Sequence, residues 1–314
     1  MSENRTADVT GRAAGHPSVS MALGALFVSA SAVLIHLSGT SPGTASFYRC
    51  LLALPALVPL AALERGRENG RENGRENGRE NAAPARWRVV TLAAGVLFAG
   101  DMLLWTAAIG EVGAGLSTVL VNVQVVMVPL LALLVDHEPP PRRFVVSLPS
   151  LLLGVVLASG VAEGGAGGSR PLLGTVHAVL AAVCYSGFLF LLRRGGQDGR
   201  AVRSYLWVTV AAAVTSLVAG ALWQGVDLAP GWTAVGWLAL VAVFGQVLGW
   251  LLVAVAAPHL ASHVGAILLL LTPVGALVLG WAVLGERPSL LQLAGCAVIL
   301  ASGAFATTRS RRES

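Results

Sequence analysis

Residues 100–105 read GDMLLW and residues 245–250 read GQVLGW, so a glycine, a polar residue and a tryptophan recur at one spacing. The two stretches begin 145 residues apart. Further along the chain, residues 155–160 read VVLASG and residues 298–303 read VILASG. Similarity at a nearly constant offset indicates an internal duplication.

Both copies of the motif lie in long apolar runs, and ten such runs follow one another along the chain. A helix needs about 20 apolar residues to cross a bilayer. The runs are too long, and too apolar on every side, to be the short alternating strands of a membrane barrel. We therefore predict an all-α membrane protein with ten transmembrane helices, over residues 18–38, 44–63, 89–109, 114–135, 144–161, 171–192, 204–223, 232–256, 260–284 and 289–307.

The composition of the 314 residues excludes several classes of protein. Hydrophobic residues make up 55% and charged residues 12%, and the mean hydropathy is +0.73. A soluble domain carries about 25% charged residues, so neither a soluble globular protein nor a disordered one fits.

The 21 basic residues are all arginines. They separate apolar runs instead of forming one basic face, so no nucleic-acid partner is expected. The three cysteines show no metal-ligand spacing, and neither a metal nor a cofactor is expected.

The arginines predict the orientation of the helices. With the N-terminus in the cytoplasm, 18 arginines fall on the cytoplasmic side, two (Arg170 and Arg287) fall on the other side, and Arg49 lies inside a span. This bias follows the positive-inside rule. It predicts a multi-pass protein of the cell (plasma) membrane with both termini cytoplasmic.

The duplication divides the ten spans into two halves of five. Because five is odd, the second half must enter the membrane inverted relative to the first. Secondary transporters are built from inverted repeats, with the substrate site near the middle of the bilayer between the halves. The predicted segments are a cytoplasmic tail (1–17), a first half (18–161) with a low-complexity cytoplasmic loop (64–88), a second half (171–307) and a cytoplasmic tail (308–314).

Several short stretches also resemble those of a known transporter family. They are FYR at 47–49, LLW at 103–105, VGAG at 112–115, VNVQVV at 121–126, and TPV at 272–274 followed by GER at 285–287. With the ten spans and the two halves, they look like the EamA-type branch of the drug/metabolite transporter superfamily. The resemblance covers residues 18–307. It implies a carrier with a central cavity that works by alternating access, often as an exporter of small metabolites or amino acids.

Arg49 and Asp101 are charged residues inside spans. A charge at the centre of a bilayer costs about 2.5–3.5 kcal/mol on insertion scales, so such residues normally face a cavity or a partner. Counted along their helices, the two residues lie at similar depths, and a direct ion pair between them is geometrically allowed. Arg49 could bind an anionic group and Asp101 could carry a proton. A permanent structural ion pair is the alternative, although a buried pair adds little net stability.

Five further side chains are candidates for a substrate or coupling site. An apolar cavity needs a few placed donors and acceptors, which Asn122, Gln124 and Gln246 can supply; hydrogen bonding between helices is the alternative. His36 can shuttle protons near neutral pH, and Trp250 can form a cavity wall. Asn122 and Gln124 point about 200° apart on a helix, so only one of them is expected to line the cavity.

Glu138 and Glu286 follow the fourth and ninth spans. They are expected at solvated helix ends near the lipid headgroups. A gating contact with another helix end is the alternative.

These features predict an integral membrane secondary transporter that exports small metabolites, such as amino acids or related compounds, by alternating access. Its expected partners are a small-molecule substrate, the lipid bilayer and protons as the coupling ion, and the unit is a monomer or a homodimer. No catalytic residue is predicted. An intramembrane enzyme is an alternative, because Ser117 could be recruited with His263. A structural membrane protein that transports nothing also stays open.

Overall fold

The structure, a computed structural model, describes most of the apolar part of the chain. The described residues are 17–72, 85–124, 142–158, 170–195, 200–260 and 268–307, with single residues at 127, 131, 134, 135 and 265. Within them every regular element is a helix. The predicted all-α class is therefore confirmed.

The helices are named here in chain order. They are α1 (Pro17–Ser38), α2 (Pro42–Leu51), α3 (Leu54–Glu72), α4 (Ala85–Val112), α5 (Ala114–Val121), α6 (Arg142–Ala158), α7 (Pro171–Gly195), α8 (Ala201–Trp223), α9 (Trp232–Leu240), α10 (Leu251–Ala256), α11 (Leu271–Leu284) and α12 (Leu290–Thr307). Between α9 and α10 the chain is π-helical over Val241–Trp250, and a 3-10 turn, Ala257–His259, follows α10.

Six helical stretches of the described residues are long and apolar enough to cross a membrane: Pro17–Ser38, Pro42–Gly66, Trp87–Val112, Pro171–Leu192, Ala201–Trp223 and Trp232–Ala256. They coincide with the predicted first, second, third, sixth, seventh and eighth spans. Shorter apolar helices occupy parts of the fifth, ninth and tenth spans, at Val145–Ala158, Leu271–Leu284 and Leu290–Phe305. A multi-pass membrane protein is supported, and the full count of ten spans stays a prediction.

The fourth and ninth predicted spans are interrupted. α5 begins after Gly113, whose φ of 93° favours glycine, and it ends in a turn at Asn122. α11 begins after a turn at Leu270. The apolar pattern predicted continuous helices over 114–135 and 260–284 because hydropathy reports the surroundings of side chains, not the continuity of the backbone. Transporter sites commonly form where spanning helices are discontinuous.

The two copies of the glycine-containing motif pack in corresponding ways. Gly245 faces Ser31 of α1, which is the first helix of the first half. Gly100 faces Cys184 of α7, which is the first helix of the second half; a Cβ at Gly100 would lie 3.1 Å from Cys184 Sγ. Each motif therefore packs against the opening helix of the opposite half, as expected for an inverted duplication.

The segment formed by α2 and α3 is joined to α8 near both of its ends. At one end, Ser41 Oγ donates a hydrogen bond to the Gly225 carbonyl oxygen at 2.8 Å. At the other end, the Glu64 carboxylate accepts hydrogen bonds from the backbone N–H groups of Val202 at 3.0 Å and Arg203 at 2.8 Å. A carboxylate at a helix N-terminus also interacts favourably with the helix dipole. These contacts join the first half to the second along the length of α8.

Candidate functional site

Arg49 lies in the last turn of α2 and points into the interior between the two halves. Its side chain is 2% exposed, and its Nη2 donates a hydrogen bond to Oε1 of Gln246 at 2.8 Å. Gln246 lies in the π-helical segment and is 0% exposed. The hydroxyl of Tyr205 donates a hydrogen bond to the Gln246 backbone carbonyl at 3.1 Å. A buried polar contact thus crosses between the halves.

The direct ion pair allowed for Arg49 and Asp101 is not present. Among the described residues no carboxylate oxygen lies within 4.0 Å of the Arg49 guanidinium, whose Nε also lacks a hydrogen-bond partner. The opposite charge of Asp101 still interacts with Arg49 through space. The sequence gives the depth of each residue but not the direction in which each helix faces, so it could not distinguish a direct bond from proximity. The guanidinium also lies over the Trp105 ring, 5.8 Å from its centroid.

Asp101 lies at the position of the first half that corresponds to Gln246 in the second half. It is 7% exposed, and within the described residues its carboxylate makes no hydrogen bond. The titratable groups that interact with it electrostatically in this part of the chain are Arg49 on α2 and Cys184 and Tyr185 on α7. The site therefore holds one cationic and one acidic side chain that face it from different helices.

Aromatic side chains form a wall beside these charges. The ring of Trp250 meets Phe98, Tyr185 and Phe188 edge to face, at centroid distances of 5.6, 5.5 and 5.4 Å. Phe98 and Phe188 stack on each other at 4.3 Å. Gln124 lies beside the Tyr185 hydroxyl, and its buried Oε1 finds no hydrogen-bond partner in the described part of the chain. The predicted candidates Trp250 and Gln124 are thus brought into the same interior as Arg49, Asp101 and Gln246.

The remaining two candidates lie apart from this cluster or are engaged locally. Asn122 is buried, but its Nδ2 donates a hydrogen bond to the Thr118 carbonyl of its own helix at 2.7 Å. His36 is exposed near the end of α1. Two residues that contact the Arg49 and Gln246 site, Tyr205 and Ser31, were not predicted from the sequence. A neutral residue in an apolar helix carries little signal, and the only available cue was that each interrupts an apolar run.

Glu286 contradicts the expectation of a solvated helix end. Its carboxylate accepts hydrogen bonds from the first backbone N–H groups of α5, at 2.6 Å from Ala114 and 3.0 Å from Gly115. α11 is followed by Gly285, whose left-handed φ of 66° reverses the chain and returns Glu286 toward the bundle. We call this contact between the halves the Glu286 clamp. Glu138 lies outside the described residues.

Three glycines leave room for the Glu286 carboxylate. A Cβ would lie 3.0 Å from Oε1 at Gly113 and 3.1 Å from Oε2 at Gly115, and at Gly280 it would collide with Oε2. The N-terminus of α5 carries unpaired N–H groups and a partial positive charge. The clamp is therefore a fitted cradle for one carboxylate.

Replacing Gly280 with alanine should destabilise the protein by about 1–3 kcal/mol, because the added Cβ displaces Glu286 and weakens two hydrogen bonds to a charged group. Gly236→Ala is the matched control, since a Cβ there meets no atom within 4 Å, and alanine should be neutral or stabilise by up to about 1 kcal/mol. Thermal unfolding of both purified variants in detergent checks this. A Gly280→Ala protein as stable as Gly236→Ala would contradict the fitted cradle.

Of the two residues considered for an intramembrane enzyme, only Ser117 lies in the described part of the chain. Ser117 is fully buried, and its Oγ donates a hydrogen bond to the Ala114 carbonyl at 3.1 Å. His263, its proposed partner, lies outside the described residues. The described residues contain no group of three or more His, Cys, Asp or Glu side chains placed to hold a metal ion.

The chain is similar to a known protein family and to solved structures. The family described as the EamA-like transporter family matches the chain twice, over residues 17–160 and 172–308. A solved crystal structure is similar over 93% of this chain and 96% of its own, with a TM-score of 0.63 and 17% sequence identity. At that identity the likeness concerns the fold alone. No curated protein matches the sequence.

Proposed function

Because the chain belongs to the EamA-like transporter family, we propose that it is a secondary transporter that moves small metabolites, such as amino acids or related compounds, by alternating access. We place it in the plasma membrane with both termini in the cytoplasm, as the arginine bias favours. Export is the proposed direction, and a monomer suffices to enclose the site, although a homodimer is compatible with it. The two halves are assigned to residues 18–161 and 171–307.

The observation that carries this proposal is the buried contact between Arg49 and Gln246. Polar and charged residues at membrane depth are costly, and they mark substrate and ion pathways. Here the two partners come from opposite halves and meet between helices rather than at a lipid-facing surface. A site shared by two inverted halves can be exposed to either side by rocking one half against the other.

The Glu286 clamp supports alternating access. It ties α5 of the first half to α11 of the second half at one end of the bundle, which we call the Glu286 end. Under the proposed orientation this end faces the outside of the cell. We assign the structure to a state closed at the Glu286 end, and opening that end requires the clamp to break.

Asp101 is the proposed proton carrier. It is an acidic residue at membrane depth, it faces the site from α4, and its repeat-related partner is the non-titrating Gln246. A carrier that binds a proton on one side of the membrane and releases it on the other can be driven by a pH gradient. The groups around Asp101, namely Arg49, Cys184 and Tyr185, would sense each change in its charge.

Counterflow with the purified full chain in liposomes tests the transport function. Vesicles loaded with one unlabelled amino acid or small metabolite at a time should accumulate the labelled form of the same compound, and protein-free vesicles should not. The absence of counterflow for every compound in a panel of amino acids and small metabolites would reject the proposed function.

Replacing Gln246 with leucine should lower the counterflow rate at least tenfold. The substitution removes the hydrogen-bond acceptor of Arg49 and leaves a buried charged donor unsatisfied, which costs about 1–3 kcal/mol or more. Gln292→Leu is the matched control, because Gln292 is also buried (1% exposed) but lies in α12 and accepts a hydrogen bond from Ser289 N at 2.9 Å. Equal counterflow rates for the two variants would show that Gln246 has no special part in the site.

A further inference from the structure

The Arg49 guanidinium is a buried cation that lacks a directly bonded counter-ion within the described structure. It carries five N–H donors; one is used on the neutral Gln246 amide, and Nε has no partner. A buried charge normally binds an opposite charge and fills its remaining hydrogen bonds, because an uncompensated one is strongly destabilising. Asp101 compensates part of the charge through space but fills none of the donors. The unused donors therefore suit an anionic group that comes from outside the chain.

Next to Arg49, the Ser31 side chain of α1 packs directly against Gly245 of the π-helical segment. A Cβ at Gly245 would collide with Ser31 Oγ and lie 3.6 Å from Arg49 Nη2. Gly245 thus marks the place where α1, α2 and the π-helical segment meet. The Ser31 hydroxyl is fully buried and has no hydrogen-bond partner among the described residues. Ser46, one turn before Arg49 on α2, is also fully buried with an unpartnered hydroxyl.

We propose that this arrangement is a carboxylate-binding site, in which Arg49 holds the carboxylate of the transported molecule and Ser31 donates a further hydrogen bond to it. The proposal rests on the transporter function proposed above and names the chemical class of its substrate. A guanidinium presents paired N–H donors in a plane and binds a planar carboxylate through two parallel hydrogen bonds. Because Gly245 has no Cβ, the Ser31 side chain can pack directly against it, next to the Arg49 guanidinium.

The opposite side of the site determines what else the substrate carries. Asp101 faces the same interior from α4, and the aromatic wall around Trp250 lines it with apolar surface. A ligand whose carboxylate binds Arg49 can therefore direct an apolar side chain at the aromatic wall. Charge at Asp101 is balanced in one of two ways, by an ammonium group of the ligand or by a proton. Amino acids and simple carboxylic acids share the carboxylate, and they differ at this second position.

Binding to the purified full chain tests the proposal through matched sets of ligands. Each set contains an apolar amino acid, its carboxamide and its counterpart without the amino group, for example leucine, leucinamide and 4-methylpentanoate. The readout is the rise in unfolding temperature, because a ligand that binds only the folded state stabilises it. Members with a carboxylate should stabilise the protein, and the carboxamides should bind at least tenfold more weakly. Stabilisation by leucine alone assigns an amino acid, and stabilisation by 4-methylpentanoate assigns a simple acid together with a proton on Asp101.

Three variants test which residues hold the carboxylate. Arg49→Lys keeps the positive charge but loses the paired donors, and Ser31→Ala removes one hydroxyl. Gly245→Ala leaves the Arg49 and Gln246 side chains in place but displaces the Ser31 hydroxyl. All three should weaken carboxylate binding, with Arg49→Lys lowering the affinity at least tenfold. Arg170→Lys, at an exposed position outside the site, should leave binding unchanged. The unfolding temperature without ligand shows whether each variant folds, and Ser31→Ala provides a mild test if the other two do not.

Two results would overturn the proposal. One is that no carboxylate in the panel stabilises the protein; the other is that a carboxylate and its carboxamide bind equally and Arg49→Lys changes neither. In both cases the transporter function would still stand if counterflow of some compound without a carboxylate is observed. The loss of counterflow for every compound would reject the transporter function itself, so the two failures can be told apart.

Discussion

Replacing Glu286 with glutamine should lower the transport rate at least tenfold and open the Glu286 end of the bundle. The carboxylate accepts two backbone hydrogen bonds from α5, at 2.6 and 3.0 Å. Hydrogen bonds to charged groups are worth about 1.5–3 kcal/mol each, and about 1.4 kcal/mol changes an equilibrium constant tenfold. A glutamine keeps one acceptor oxygen, but its amide nitrogen would face a backbone N–H. The closed state should therefore lose most of its advantage over the open one.

The opening can be measured by the reactivity of a cysteine placed behind the clamp. Ser117 lies one turn into α5 and is fully buried, so Ser117→Cys should react slowly with a membrane-impermeant thiol reagent when Glu286 is present. The reaction should be at least tenfold faster when Glu286→Gln is added. The three natural cysteines, Cys50, Cys184 and Cys296, are replaced by alanine in both proteins so that only position 117 reports.

Glu286→Asp is the informative companion variant. It preserves the charge but shortens the side chain by one methylene, so it cannot span both N–H groups with the same geometry. Fast labelling in both variants would show that the bidentate contact holds the end closed, whereas fast labelling in Glu286→Gln alone would show that the charge is sufficient. Unchanged labelling and unchanged transport in both variants would refute the clamp as a closing contact.

Replacing Asp101 with asparagine should abolish transport driven by a pH gradient, with a loss of at least a hundredfold, while counterflow without a gradient continues. Asparagine matches aspartate in shape but cannot release or bind a proton in the working pH range. The exchange of substrate against substrate needs no net proton movement, so it should survive at a reduced rate. Liposomes with and without an imposed pH gradient separate the two activities.

The control for Asp101→Asn is a second aspartate outside the candidate site. Asp227 lies in the loop between α8 and α9, where its Oδ1 accepts a hydrogen bond from Ala229 N at 2.8 Å. Asp227→Asn should retain gradient-driven transport. If Asp101→Asn also retains it, protons are not coupled through Asp101, and the transporter function remains with another driving force.

The sequence predicts the helical class and a duplicated chain because both depend on apolar periodicity and on recurring motifs. The equivalence of Asp101 and Gln246 is visible in the sequence, and in the structure both side chains lie in the interior between the halves. Arg49 is also conspicuous, since a lone charge in an apolar run has a known energetic cost. These three residues are visible in the sequence because each is a polar or charged residue within an apolar run.

Relations between helices could not be predicted in the same way. A linear sequence gives the depth of Arg49 and Asp101 but not the rotation of α2 against α4, so it allowed an ion pair that the structure lacks. The partner of Glu286 is the backbone of α5, and a backbone N–H leaves no mark in the sequence. The interruption at Asn122 was hidden for a related reason, since the residues around it are as apolar as those of a continuous helix.

The two-ended attachment of α8 constrains how the halves can move. Ser41 binds the loop after α8 at one end, and Glu64 binds the first turn of α8 at the other. Any motion that preserves both contacts cannot slide the halves along each other or separate them at this edge. The remaining freedom is rotation about an axis that runs along α8, and displacement grows with distance from that axis. The α2–α3 segment and α8 would then act as the pivot, and the largest displacements would fall on the helices farthest from it.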